Sequence, residues 1–344
     1  MKQLLIACVL LLSACNARPA APAALTVMTH DSFSISEGVL KTFETANNVT
    51  VTFVKSGDAG AALNKAILSS GSPLADVLYG VDNTFLTRAL EAGIYESYAS
   101  PALSGIPPEF QLDPGHFALP VDYGDVCVNY DKAYFSAHAL TVPATLEDLS
   151  RPEYRGLLVT ENPASSSPGL AFLLATVKHF GDPGYLGYWK DLRANGVVVV
   201  DGWETAYYTN FSGSSGRGPQ PMVVSYATSP AAEVMFAESP LTDSPTASIT
   251  GADTCFRQVE FVGILKGTTQ PELARRFVDF MLSAGFQADV PAQMFVYPVL
   301  PGVALPSEFT KYAQVPAQPA SLDPQAISAH RDDWIKAWTE AVLH

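Results

Sequence analysis

The fold class is decided by residues 49–68, which read VTVTFVKSGDAGAALNKAIL. Residues 49–54 are rich in β-branched side chains and predict a strand. Residues 59–68 carry their small and apolar side chains on one helical face and predict a helix. Asp58 stands between them, where its side chain can cap the helix. A strand that leads directly into a helix is the repeating unit of a parallel α/β sheet.

The same alternation extends along the chain. The predicted strands are residues 25–29, 49–54, 76–79, 157–159, 197–200, 222–226 and 255–265. The predicted helices are residues 38–46, 59–68, 84–92, 170–179, 185–193 and 271–282, with another inside 324–344. We interpret residues 212–221, rich in Ser, Gly and Pro, as a flexible loop. Two α/β units joined by long strands predict a two-lobed, hinged binding protein whose ligand lies outside the carboxyl ends of the strands.

The first 14 residues have the pattern of a secretory signal peptide, with Lys2 before an apolar run that is too short to span a membrane. The run ends in Leu12-Ser13-Ala14-Cys15, which resembles a bacterial lipoprotein processing site. This predicts cleavage before Cys15, a lipid on that cysteine and an extracytoplasmic, membrane-anchored protein. An ordinary signal peptide cut near Ala17 is the alternative. Residues 15–24 then form a lipidated linker rich in Ala and Pro.

Only Cys127 and Cys255 remain once the signal peptide and the lipidated cysteine are set aside. No Cys/His spacing typical of a zinc site occurs. In an oxidising compartment an even pair predicts a disulfide, with two buried free thiols as the alternative.

The formal net charge of −14 argues against nucleic acid as a partner and favours a small cationic ligand. Motifs of serine hydrolases, zinc proteases and nucleotide-binding loops are absent from the sequence, and the histidines are scattered. We therefore expect no catalytic activity, no cofactor and no resident metal.

Aromatic and small polar residues follow several predicted strands. Ser166 and Ser167 precede Pro168 at a helix start, where one serine can cap the helix and its neighbour can donate to a hydroxyl or phosphate oxygen. Trp203, Tyr226 and the aromatic cluster at 293–298 each fit a core position. Together, in an acidic protein, they also fit a box for a planar cation.

These residues occur in segments that resemble the thiamine-binding periplasmic proteins of bacterial ABC importers, from Leu25 to the final helix. The matching segments are Thr29-His-Asp-Ser-Phe33, Val81-Asp-Asn83, Pro120-Val-Asp-Tyr-Gly124, Tyr130-Asp-Lys132, Ser167-Pro-Gly-Leu170, Gly202-Trp-Glu-Thr-Ala-Tyr207, Ser225-Tyr-Ala-Thr-Ser-Pro230 and Tyr297-Pro-Val299. The resemblance implies an α/β, type II periplasmic-binding-protein fold, with two doubly wound mixed sheets joined by crossover strands.

The resemblance also implies a ligand, which is thiamine or one of its phosphate esters, and a site. Asp58 and Ala59 would contact the aminopyrimidine, and Ser166 and Ser167 the hydroxyethyl or phosphate end. Trp203 and Tyr226 would stack on or flank the rings, and Ala227, Thr228 and Ser229 would add polar and backbone contacts. His30, Ala59 and Phe295 stand where the family has tyrosine, glycine and tryptophan.

The predicted organisation places lobe I at residues 25–121 and 256–305 and lobe II at 122–255, with residues 306–344 as a helical segment packed back on a lobe. The expected partners are the small ligand, the transmembrane subunits of an ABC permease and, through the lipid, a membrane. We expect the chain to act as a monomer, and we expect any disulfide to lie near the hinge.

Two other functions remain open from the sequence. A ferric-iron or other metal receptor of the same architecture would use Tyr207, Tyr208, His30 and Asp58, since phenolate, imidazole and carboxylate suit a hard cation. An enzyme that degrades thiamine or a related pyrimidine would need a nucleophile, and neither Cys127 nor Cys255 follows a predicted strand beside a base.

Overall fold

Strands and helices alternate through the first part of the chain, as the sequence predicts. The computed structural model describes residues 21–214 and 217–344, so the predicted signal peptide and the lipidation site at Cys15 lie outside the described residues. The elements of this part are β1 (Ala23–Thr29), α1 (Glu37–Asn47), β2 (Val49–Lys55), α2 (Ala59–Leu68), β3 (Val77–Asp82), α3 (Leu86–Glu91) and β4 (Tyr95–Glu96).

A long strand, β5 (Leu119–Asp131), then carries the chain out of this first unit. The sequence analysis did not predict it, because its polar residues interrupt the apolar pattern. The remaining elements are α4 (Lys132–Ala137), β6 (Leu158–Glu161), α5 (Ser167–Phe180), α6 (Gly184–Ala194), β7 (Val198–Val200), a π-helical turn (Thr205–Asn210), β8 (Met222–Tyr226), α7 (Ser229–Met235), β9 (Thr246–Ile249), β10 (Phe256–Leu265), α8 (Pro271–Met281), α9 (Ala284–Gln293), β11 (Tyr297–Pro298), α10 (Ser307–Tyr312) and α11 (Pro324–Val342).

The strands form one continuous mixed sheet in the order β2-β1-β3-β10-β5-β8-β6-β7. β1 is parallel to β2 and β3, and β6 is parallel to β7 and β8. β10 and β5 run antiparallel to each other. On their outer edges, β10 runs antiparallel to β3, and β5 runs antiparallel to β8. We call the β2-β1-β3 part the first half of the sheet and the β8-β6-β7 part the second half. The two predicted sheets are thus the two halves of one continuous sheet, joined by the crossover strands β10 and β5.

Helices cover both faces of the first half, as a doubly wound sheet requires. On β1, Met28 packs towards α2 and α3 with Leu63 and Phe85. The preceding residue, Val27, packs towards α8 with Phe277 on the other face. This alternation along one strand follows from the two-residue side-chain period of β structure.

In the second half, α5 and α6 cover one face and the π-helical turn covers the other. Leu158 packs with α5 and α6, whereas Val159 packs with Ala206 and Tyr207. A buried hydrogen bond from Trp189 Nε1 to Thr176 Oγ1, 2.9 Å long, joins α6 to α5.

The C-terminal helix α11 contacts both halves. Ser328 Oγ donates to Glu91 at the end of α3 over 2.7 Å. Arg193 at the end of α6 donates to the Ala341 carbonyl over 3.0 Å. Trp338 packs edge-on against Trp189 with ring centroids 5.4 Å apart. The helix therefore packs against both halves of the sheet at once.

Cys127 and Cys255 form a disulfide, as the cysteine count predicts. Cys127 lies on β5 and Cys255 immediately precedes β10, so the bond links the two crossover strands where they enter the second half. Both side chains are fully buried against Ala227.

The described residues of the segment 212–221 are more ordered than the sequence predicts. Ser212 Oγ donates to Asp131 Oδ2 over 2.6 Å, and Phe211 pairs with Gln220 across the base of the loop. Serine hydroxyls anchor this segment, and composition alone does not reveal such contacts. None of the described helices combines the length and the apolar character needed to cross a membrane.

Candidate functional site

A cavity of about 770 Å³ lies between the two halves of the sheet. The first half contributes the turns that follow β1 and β2, and the crossover strand β10 contributes Glu260. The second half contributes the start of α5, the segment around Trp203, the β8–α7 turn and α7. The residues that line the cavity include His30, Asp58, Ser167, Trp203, Glu204, Tyr207, Tyr208, Arg217, Tyr226, Ser229, Glu233, Phe236, Glu238, Glu260, Met294 and Phe295.

Asp58 joins the two halves at one side of this cavity. It is the N-cap of α2, and its Oδ1 accepts from the Ala59 N–H over 2.6 Å. Its Oδ2 accepts from the Trp203 N–H over 2.9 Å. Burial raises the pKa of Asp58, and the N–H groups of Trp203 and Ala59 oppose that shift. Asp58 is therefore the predicted helix cap and also a contact between the two halves.

The start of α5 faces the same carboxylate. Burial raises the pKa of Asp58, and the Ser166 hydroxyl and the Ser167 N–H are among the groups that oppose this rise. Ser167 lines the cavity, whereas Ser166 is fully buried behind it. The predicted serine donors are thus brought to the Asp58 side of the site.

Ala59 does not line the cavity, because it is buried in the first turn of α2. That turn packs directly on the loop before α5, where the Ala61 N–H donates to the Ser165 carbonyl over 3.2 Å. A Cβ on Gly60 would lie 2.9 Å from the same carbonyl oxygen. Glycine at position 60 therefore permits the two halves to meet here.

Trp203 forms the centre of an aromatic wall. Its ring stacks on Tyr207 with centroids 5.0 Å apart and an interplanar angle of 18°. Its Nε1 donates to Ser225 Oγ over 2.9 Å, and Ser225 in turn pairs with Ser229. Tyr226 meets the indole edge-on at 6.4 Å. The structure therefore brings together the predicted aromatic residues of the second half.

The residues after Tyr226 are divided between the cavity and the core. Ser229 lines the cavity, but Ala227 and Thr228 are almost fully buried and do not. Ala227 packs on the disulfide, and its N–H donates to the Asp125 carbonyl over 2.8 Å. Ala227 therefore does not form part of the cavity lining.

Phe295 lines the opposite side of the cavity next to Met294. It packs edge-on against Phe236 of α7 with centroids 5.0 Å apart. Its φ of 59° lies in the left-handed region, which is unfavourable for a bulky residue. The two phenylalanines bring the turn after α9 into contact with the end of α7 at the cavity.

His30 lies at the carboxyl end of β1, above Gly80, whose φ is 101°. A Cβ on Gly80 would lie 2.3 Å from His30 Cδ2, so only glycine leaves room for the imidazole. Burial lowers the pKa of His30 to about 4, which keeps the ring neutral near pH 7. His30 Nε2 lies 3.5 Å from Glu260 Oε1.

Sequence reasoning missed the carboxyl groups that line the cavity besides Asp58. They are Glu204, Glu233, Glu238 and Glu260. Glu204 lies inside a segment already singled out, and Glu260 is an acidic residue within an apolar strand, which is a recognisable signal. Arg217 is the only Lys or Arg side chain among the described lining residues. The cavity therefore carries an excess of acidic groups, which suits a cationic ligand.

The residues proposed for a metal receptor do not converge. The Tyr207 hydroxyl donates to Glu233 over 2.8 Å, whereas His30 lies beside Glu260. Among residues 21–214 and 217–344, no three or more His, Cys, Asp or Glu side chains are grouped so that they could hold a metal ion.

Comparison with protein families gives a match to the model of the bacterial extracellular solute-binding proteins over residues 72–324. A curated protein of Salmonella typhimurium named thiamine-binding periplasmic protein is 32% identical over 340 residues, 96% of this chain and 97% of that protein. An Escherichia coli protein of the same name is 32% identical over 343 residues, 97% of this chain and 98% of that protein.

Among solved structures, one entitled periplasmic thiamin binding protein superposes with a TM-score of 0.82 at 28% identity, covering 94% of this chain and 98% of that one.

Proposed function

We propose that this chain, which belongs to the family of bacterial extracellular solute-binding proteins, binds thiamine or its phosphate esters between the halves of its sheet and delivers the ligand to the permease of an ABC importer. The protein acts outside the cytoplasm and has no chemistry of its own in this proposal. Lipid anchoring through Cys15 and a monomeric state belong to the same proposal.

The observation that carries the proposal is the aromatic wall facing acidic groups. Trp203 and Tyr226 expose ring surface to a cavity lined by five carboxyl groups and a single Arg side chain among its described residues. A thiazolium ring is a planar cation, and such a ring is attracted to aromatic faces and to carboxylates. The cavity is also large enough to enclose most of a ligand of this size.

The residues of the site take the following roles in this proposal. Asp58 contacts the amino group of the pyrimidine, and the start of α5 at Ser166 and Ser167 contacts the hydroxyethyl or phosphate end. Trp203 and Tyr226 pack on the rings. Ala59, Ala227 and Thr228 shape the cavity from behind, and His30, Ser229 and Phe295 complete its lining.

We propose that the two halves of the sheet belong to two lobes, residues 25–121 with 256–305 and residues 122–255. Ligand contacts to both lobes would stabilise a closed arrangement. The direct contacts of Asp58 with Trp203 and of Ala61 with Ser165 support this division, because they meet at the cavity and come from different halves.

Calorimetric titration tests the proposal. The protein is unfolded and refolded to remove carried ligand, and then titrated with thiamine, its monophosphate and its diphosphate. We expect binding of one ligand per chain, at least 100-fold weaker in Trp203→Ala and in Tyr226→Ala. Tyr134→Ala is the matched control, because Tyr134 lies on α4 and does not line the cavity.

Heat from none of the three ligands would contradict the proposal and leave the ferric-iron receptor as the next candidate. A solved structure entitled ferric binding protein from Campylobacter jejuni, with a TM-score of 0.74 at 17% identity over 92% of this chain and 99% of that one, shares the fold. Iron binding would then produce a visible charge-transfer band that Tyr207→Phe abolishes.

A further inference from the structure

Two carboxyl groups share one phenol at the floor of the cavity. The Tyr79 hydroxyl lies 2.5 Å from Asp122 Oδ2 and 3.0 Å from Glu260 Oε2. A phenol has one proton and cannot donate to both carboxyl groups. The second contact therefore requires a proton on one of the carboxyl groups, donated towards the phenol oxygen. Asp122 and Glu260 hold at least one proton between them in this arrangement.

Glu260 is the member of this pair that reaches the ligand. It lines the cavity and is 8% exposed, whereas Asp122 is 1% exposed and lies behind it. Burial and the neighbouring Asp122 raise the pKa of Glu260 well above its usual range. Burial also raises the pKa of Asp122 to about 6. The Tyr79 hydroxyl makes its shorter contact with Asp122, so the phenol proton points to Asp122 and the shared proton resides on Glu260.

The groups that face Glu260 are neutral or acidic. They are His30 at the end of β1, Tyr79 and Asp82 on β3, Asp122 on β5, Tyr226 on β8 and, beyond Tyr226, Asp58 at the start of α2. His30 is neutral near pH 7 because its pKa is lowered to about 4 by burial. A cation in the cavity would thus be the positive neighbour that an ionised Glu260 lacks.

We propose that Glu260 recognises the positive charge of the ligand and that the proton shared with Asp122 passes to the solvent when the cation binds. The O–H bond of Glu260 breaks, the proton is taken up by the buffer, and the carboxylate keeps the electron pair. One positive charge leaves the floor of the cavity as another enters, so its net charge is unchanged. This inference rests on the proposed function, because it requires a cationic ligand.

Asp58 is less suited to this task. Its two oxygens already accept from the N–H groups of Ala59 and Trp203, so its charge is compensated by protein donors. Glu260 Oε1, in contrast, lies 3.5 Å from the neutral His30, and Oε2 is shared with the Tyr79 hydroxyl. A carboxyl group with fewer compensating donors has more to gain from a cationic ligand.

Calorimetry in buffers of different ionisation enthalpy tests the inference with thiamine as the probe. The observed heat should change with the buffer by the amount that corresponds to about one proton released per ligand near pH 7. The dissociation constant should fall as the pH rises, by up to tenfold per pH unit, until Glu260 of the free protein is itself ionised.

Glu260→Gln keeps the size of the side chain and removes the acidic proton. We expect proton release to disappear and the affinity for thiamine to fall at least tenfold. Asp122→Asn should also reduce proton release, and it serves if Glu260→Gln does not fold. Asp279→Asn is the control, because Asp279 accepts from the Tyr98 and Ser100 hydroxyls and does not line the cavity. It should release as many protons as the unchanged protein.

Tight binding with the same heat in every buffer would overturn the inference and leave the proposed function intact. Unchanged proton release in Glu260→Gln would overturn the assignment to Glu260. No thiamine binding by the unchanged protein would remove the proposed function and this inference together.

Discussion

The carboxylate of Asp58 accepts the main-chain N–H of Trp203 over 2.9 Å, although the two residues lie 145 positions apart and belong to different halves of the sheet. The same carboxylate caps α2 through the Ala59 N–H. One side chain thus fixes a helix start in the first half and the entry to the aromatic wall in the second. Changes at Asp58 should affect both stability and ligand binding.

Asp58→Ala should lower the free energy of unfolding by roughly 1–3 kcal/mol, because two buried N–H groups lose their acceptor. The same change should weaken thiamine binding at least tenfold. Urea unfolding and calorimetry measure the two effects. Asp323→Ala is the matched control, because Asp323 caps α11 by accepting from the Gln325 N–H and does not line the cavity. It should cost about 1 kcal/mol and leave affinity unchanged. An Asp58→Ala protein that binds normally would contradict the assignment.

The hydrogen bond from Trp203 Nε1 to Ser225 Oγ orients the indole. Trp203→Phe and Ser225→Ala should each weaken ligand binding about three- to tenfold. The double variant should be little worse than either one, since both remove the same contact. A coupling energy of about 1 kcal/mol in this double-mutant cycle would support the contact. Strict additivity would show that the hydrogen bond does not act in binding.

Loss of the disulfide should destabilise the protein. The bond joins residues 128 positions apart and is fully buried, so the unfolded chain gains much freedom without it. Cys127→Ala with Cys255→Ala should lose roughly 2–5 kcal/mol of unfolding free energy. Unfolding in urea, with and without reductant, measures this loss. The unchanged protein should respond to reductant and the double variant should not. Equal stability of the unchanged protein and the double variant without reductant would contradict the expectation.

Asp82 should make stability fall as the pH rises. Burial raises its pKa from 3.8 to about 7, so the folded protein holds a proton that the unfolded chain releases. The contribution of the protonated Asp82 to the free energy of unfolding is fully present below pH 3.8 and is lost as the pH rises towards 7. Relative to Asp82→Asn, the unchanged protein should lose up to about 1.4 kcal/mol per pH unit in that window. Urea unfolding at pH 4, 5.5 and 7 compares them, and parallel curves would refute the shift.

His30 should make the stability of the protein fall as the pH falls. Burial lowers its pKa from 6.5 to about 4, so its contribution to stability is fully present above pH 6.5 and is lost as the pH falls towards 4. Relative to His30→Asn, the unchanged protein should lose up to about 1.4 kcal/mol per pH unit over that range. The measurement is urea unfolding without ligand, and a pH-independent difference between the two proteins would rule out a buried neutral imidazole.

Local sequence patterns predicted most of the fold. β2, α2 and β8 have clear periodicity, and the bounds of α2 and β8 agree with the predicted residues. β5 escaped prediction because Asp122 and Asp125 interrupt its apolar residues. Asp122 is stabilised by Tyr79 and Asp125 by Arg257, which lies on β10. Such partners are distant in sequence and cannot be inferred from the strand itself.

The candidate site was predictable only in part, for the same reason. Trp203 and Tyr226 were predicted because aromatic residues after strands are conspicuous. The role of Glu260 depends on where Tyr79 and Asp122 lie in three dimensions, which a linear pattern does not encode. Conversely, Thr228 belongs to the matching segment Ser225-Tyr-Ala-Thr-Ser-Pro230 but is buried in the core.

The position of β10 also constrains the order of assembly during synthesis and export. β3 is a fully buried strand, and its antiparallel neighbour β10 begins only at Phe256, after the whole second half has been made. The first half therefore cannot complete its sheet while the nascent chain is shorter than this. The second half, in contrast, has all of its parallel strands by Tyr226. The arrival of residues 255–265 both allows the disulfide to close a covalent ring around the second half and supplies the missing strand of the first, so oxidation and completion of the first half's sheet depend on the same late stretch of polypeptide.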